Sequence, residues 1–122
     1  MLKDGSMKTI TFKVQTLASA LDDVEIAWKT GEAETTPQFS FVTWEVMHKI
    51  LSPKRLEIVT AMAGAGPLSI REIARRVERD FKGVHADVTL LLNAGVITKT
   101  GTGKMIFPYD KIHVDFEISA AA

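Results

Sequence analysis

The chain has 122 residues, of which 46% are hydrophobic and 25% charged, the composition of a folded domain with a modest core. It has no Cys, which excludes disulfides and thiolate metal sites. No apolar run approaches the ~20 residues a membrane span needs, and no apolar stretch follows Met1-Leu-Lys-Asp4 as in a signal peptide, so a cytoplasmic protein with no membrane partner is expected.

Formal net charge is zero, which argues against a uniformly basic nucleic-acid binder, but the charge is unevenly spread. Residues 1–50 carry five Lys against seven acids, whereas residues 69–104 carry seven Lys or Arg against four acids. Local placement of cations, rather than the whole-chain total, governs attraction to phosphate.

In chain order, Thr9 to Val14 alternates Ile10, Phe12 and Val14 with polar neighbours and reads as a short strand. Leu17, Leu21, Val24 and Trp28 then recur at helical spacing along one stripe. That stripe has two readings: core against the strands, or the seam of a homodimer, which is the favoured one. Thr30 to Pro37 is a polar break. Gln38 to Val42 reads as a second strand with Phe39 and Phe41 on one face, and Thr43 caps a short helix, Trp44 to Leu51. Ser52-Pro53 opens the next helix, with Ser as cap and Pro where a missing N–H costs nothing. Leu56, Val59, Met62 and Ala63 form its expected buried stripe, and Gly64-Ala-Gly-Pro67 stops it.

Ser69-x-x-Glu72 is a capping box opening a helix whose apolar positions are Ile70, Ile73, Ala74 and Val77. A further helix begins near Asp80, buries Val84, Val88, Leu91 and Leu92, and ends at Gly95, where a left-handed residue is wanted. Val96 to Thr100 and Lys104 to Phe107 are expected to form a hairpin around Gly101-Thr-Gly103. Ile112, Val114, Phe116 and Ile118 alternate as a terminal strand. Helix, turn, helix, hairpin is the layout of a DNA-binding winged helix. The expected fold class is therefore α+β: an N-terminal strand-helix-strand-helix dimerisation region over residues 8–51 and a winged helix-turn-helix domain over 52–118.

From Leu51 onward the residues LSPKRLEIVTAM, SIREIARRVERDFKGVHADVTLLLNAGVI and FPYDKIHVDFEI resemble a family of small bacterial and archaeal regulators similar to the MarR winged-helix proteins. The run Arg79-Asp-Phe-Lys-x-Val84-His-x-Asp87-Val is the most specific part. The resemblance covers about the C-terminal two-thirds of the chain. It implies a DNA-binding transcriptional regulator with double-stranded DNA as partner, and some such proteins look like antitoxins encoded beside a toxin. At two positions where that pattern carries Asn and Arg, this chain has Gly83 and Ala86.

If Val84, Val88 and Leu91 face inward, helical geometry turns Lys82, His85, Ala86 and Thr89 outward, with Gly83 on or near that surface. Lys82 would meet a phosphate or a guanine edge, His85 and Thr89 base edges, and Ala86 a thymine methyl. Arg71 and Arg75 share an exposed stripe suited to clamping phosphates. Ser69 is either a cap alone or a cap that also donates to phosphate. Lys99 and Lys104 flank the hairpin tip as backbone contacts, while Lys54 and Arg55 fit either a backbone contact or plain surface. Arg76 and Arg79 are candidates for pairing with Asp87 or Asp80. The bland alternative for this whole surface is a solvated helix face.

Gly101-Thr-Gly-Lys104 is not a phosphate loop, since no first Gly stands at Thr98, Met105 replaces Ser/Thr and no helix follows. His48, His85 and His113 are too scattered for metal ligation, and no nucleophile is paired with a base. Neither enzymatic activity nor a cofactor is expected. The expected function is a sequence-specific regulator, a repressor acting as a homodimer. Its rivals are an antitoxin-like module with a toxin partner, and a winged helix used only for protein contact.

Overall fold

The structure is a computed structural model that describes residues 8–30, 37–118 and 120. Its elements run β1 (Thr9–Val14), α1 (Leu17–Thr30), β2 (Gln38–Phe41), α2 (Trp44–Ile50), α3 (Pro53–Met62), α4 (Ile70–Val77), α5 (Phe81–Ala94), β3 (Thr98–Lys99), β4 (Met105–Ile106) and β5 (Lys111–Asp115). The fold is α+β. Of the expected polar break between α1 and β2, residues 31–36 lie outside the described residues.

β1, whose apolar residues alternate with period two, lies at the centre of a three-stranded sheet, order β2-β1-β5, in which both neighbours run parallel to it. A parallel pair needs a crossover connection, and α1 supplies it between β1 and β2. The register sets Phe12 opposite Phe39 on one side and Val114 on the other, so the apolar residues of all three strands share a face. Phe12 is fully buried there, edge-on to Phe39, Phe41 and Phe107 at centroid separations of 5.9, 6.0 and 6.4 Å. Because β5 comes from the end of the chain and β1 from its start, one core cluster draws on both sides of residue 52.

Helices α3, α4 and α5 pack around Ile58, Val59, Met62, Ile73, Val84, Val88 and Leu91, all at most 1% exposed. Ser52 and Ser69 are the expected caps, and Asp80, near which α5 was expected to begin, caps the third. Ser52 Oγ accepts from Arg55 N–H, Ser69 Oγ from Glu72 N–H at 3.1 Å, and the Asp80 carboxylate from Gly83 N–H at 2.9 Å. α5 ends on Gly95 at φ +87°, a conformation that favours glycine. A β-carbon there would also meet the Phe39 ring at 3.5 Å, so the end of this helix is packed directly against β2.

Three expectations need correction. In α3 the buried positions are Ile58, Val59 and Met62, while Leu56 is 37% exposed. The stripe is rotated because α3 must touch both α4 and α5, and Leu56 falls on its outer side, in an open groove with Pro53, Ala61 and Val77. The hairpin strands are only Thr98–Lys99 and Met105–Ile106, because Val96 and Ile97 turn into the core instead of continuing a ladder. A bridge between Leu68 and Met105 adds a third segment beside β4, with reciprocal N–H···O bonds of 2.8 Å. The terminal strand stops at Asp115 rather than Ile118; its last partner on β1 is Lys13, and β1 itself ends one residue later at Val14. Of the two readings of the α1 stripe, core against the strands does not fit, since Leu17, Leu21, Val24 and Trp28 are 60–87% exposed.

Candidate nucleic-acid interface

α4 and α5 are joined by a turn in which Glu78 adopts the left-handed region at φ +56° and Arg79 N–H donates to Ala74 O at 3.1 Å, closing the end of α4. Asp80 then caps α5. With Val84, Val88 and Leu91 sealed inside, the opposite side of α5 presents Lys82, His85, Ala86 and Thr89, all exposed. Thr89 Oγ1 donates to His85 O at 2.8 Å, so its hydroxyl is oriented along the helix while its oxygen still has a lone pair to offer.

Gly83 lies apart from that set. It is half-buried, and a β-carbon there would stand 3.3 Å from Arg79 Nη2 and 3.4 Å from Asp80 Oδ2. A side chain at this position would crowd the Arg79 guanidinium.

The orientation of α5 rests on an ion triad that sequence reasoning saw only in part. Asp87 Oδ1 accepts from Arg55 Nη1 at 3.0 Å and Oδ2 from Arg79 Nη2 at 2.9 Å. The three side chains are 15%, 18% and 22% exposed for Asp87, Arg55 and Arg79 respectively. Arg55 Nε also donates to Ile50 O at 2.8 Å, and its second terminal nitrogen donates to Lys49 O. Arg55 is thus a clamp between the end of α2, α3 and α5, not a free surface cation. Pairing of Arg79 with Asp87 was one of the expected alternatives. The link from Arg55, 32 positions away, had no local signal in the sequence.

On α4, Arg75 and Arg76 both donate to Glu72, Arg76 Nε at 3.3 Å. These hydrogen bonds, that from Arg76 foremost, hold the Glu72 carboxyl below the usual carboxylate range. Its side chain therefore turns toward the two arginines, and the capping box is realised through Ser69 Oγ. Arg76 pairs with Glu72 and not with Asp87 or Asp80. Arg75 remains exposed but shares its charge with Glu72, whereas Arg71 is free of carboxylates among the described residues and stacks its guanidinium 4.9 Å above the Phe81 ring. Ser69 is exposed and used as a cap.

At the hairpin tip, Thr100 N–H donates to Lys104 O at 2.7 Å and Lys104 N–H to Thr100 Oγ1 at 3.2 Å. Lys99 and Lys104 flank this turn, both exposed. Among the described residues, neither they nor Lys82 is in an ion pair, so these three ammonium groups have their charge available. No helix among the described residues is long and apolar enough to cross a membrane.

The fold and surface define a small α+β protein with a capped helix pair whose second member shows a polar, partly cationic side. Residues 50–114, more than half of the chain, match the model of the HVO_A0114 family, and the protein belongs to that family. No curated protein and no solved structure matches it.

Proposed function

We propose that the chain is a sequence-specific DNA-binding regulator, a winged helix-turn-helix protein that represses by occupying a promoter as a homodimer. The observation that carries this reading is the two-sided character of α5: Val84, Val88 and Leu91 buried at 0–1%, with Lys82, His85, Ala86 and Thr89 all outward. A helix held this way offers donors, an acceptor and a methyl group to base edges in a major groove. Arg71 and Arg75 on α4 and Lys99 and Lys104 on the hairpin would meet phosphates and fix register. Replacing Lys82 or Arg75 by Ala is expected to weaken binding to all duplexes alike. Each loss should reduce the slope of log affinity against log salt by about 0.9 per phosphate contact. Gel shifts in which both variants bind like the unmodified protein would remove this surface.

The exposed stripe Leu17, Leu21, Val24 and Trp28 favours a protein partner at α1. A second copy is the preferred occupant, because paired half-sites demand two recognition helices. Light scattering is expected to give a dimer, and Leu21→Glu a monomer with much weaker DNA binding. A toxin seated on the same stripe is the second reading. It predicts a monomer that shifts to a heterodimer when the product of a neighbouring gene is added.

A further inference from the structure

Phe81 is the first residue of α5 and is 40% exposed, although it is a large apolar side chain on an otherwise polar surface. Its ring is held from two sides. The Arg71 guanidinium lies over it at 4.9 Å, and the His85 ring stands 5.8 Å away one helical turn on. Lys82, the next residue, is exposed and free of ion pairs among the described residues. The ring is therefore fixed in place and framed by positive charge, at the end of the helix that enters a groove first in this class of docking.

A ring stacked against a guanidinium differs from a carboxylate partner in one respect: it orients the cation without neutralising it. Arg71 so held keeps its N–H groups for a phosphate, while the exposed part of the Phe81 ring remains available for an apolar group. In a B-form major groove the one apolar group at a base edge is the C5-methyl of thymine.

We infer that Phe81 is a specificity-determining residue that packs on a thymine methyl while positioning Arg71 against the adjoining phosphate. This rests on the DNA-binding reading above and adds a contact that the outward set Lys82, His85, Ala86 and Thr89 does not include.

The test uses the tightest duplex recovered by selection from random double-stranded oligonucleotides, with thymines replaced one at a time by deoxyuridine, which removes only the methyl. The unmodified protein is expected to lose about three- to tenfold in affinity at one or two thymines. Phe81→Ala, confirmed folded by its circular dichroism and melting, should bind thymine and deoxyuridine equally at one of those positions, any second one being the thymine that meets Ala86. Phe81→Leu should retain part of the discrimination, and Arg71→Ala should reduce the salt slope while leaving the thymine-over-deoxyuridine discrimination intact. A deoxyuridine effect of the same size in Phe81→Ala, or no sensitive thymine at all, overturns the contact while DNA binding stands. Failure of the folded, unmodified protein to bind any duplex overturns both.

Discussion

Replacing Asp87 with Ala is expected to destabilise the fold by about 3 kcal/mol, read as a lowered midpoint in equilibrium urea unfolding. The carboxylate is the shared partner of two guanidiniums, accepting from Arg55 at 3.0 Å and from Arg79 at 2.9 Å. Its removal leaves two cations facing each other in a site where both are about four-fifths buried. The magnitude sits at the low end of the range for broken buried pairs, about 3–5 kcal/mol, because each group keeps some contact with solvent. Asp87→Asn retains one acceptor and is expected to cost less. An unchanged midpoint for Asp87→Ala would show that the triad carries no weight. Because Arg55 belongs to α3 and Arg79 to the turn before α5, the same variant should also loosen the setting of α5.

Phe12→Ala is expected to cost about 3–5 kcal/mol, the usual range for deleting a buried phenylalanine. Phe12 has no solvent exposure, lies in the central strand and touches three other phenylalanine rings edge-on. Its loss leaves a cavity exactly where β1 joins segments from both ends of the chain, so little nearby can collapse into it. A thermal scan should show melting lowered by roughly 10–20 °C. Phe12→Leu, which fills most of the space, should recover much of the loss. A melt within a degree or two of the unmodified protein would contradict the placement of Phe12 at the centre of the core.

Local signals were legible because the physics that sets them is local. Thr43, Ser52 and Ser69 each cap the helix expected of them, α5 begins next to Asp80 as its pattern implied, and Gly95 ends α5 as its φ requires. The inward stripe of α5 follows from spacing alone. Features that depend on distant chain were not legible. Parallel pairing of β5 with β1 brings Lys111–Asp115 beside residues a hundred positions earlier, and alternation alone does not name a partner. The rotation of α3 that exposes Leu56 is decided by where α4 and α5 press on it. Arg55 looked like a surface cation because nothing nearby in sequence reveals Asp87 across from it. The α1 stripe was legible as a stripe, but periodicity cannot say what covers it, and in the single chain its four residues stand in solvent. The closeness of the Arg79 guanidinium to Gly83 likewise has no local signal in the sequence.

The most direct measurement of the central claim is an anisotropy titration of the unmodified protein against a selected duplex and a scrambled duplex over a series of salt concentrations. The account predicts saturable binding that is tighter for the selected duplex and falls steeply as salt rises, in the manner of released counterions. Folded protein that leaves both duplexes free at the lowest salt would contradict it.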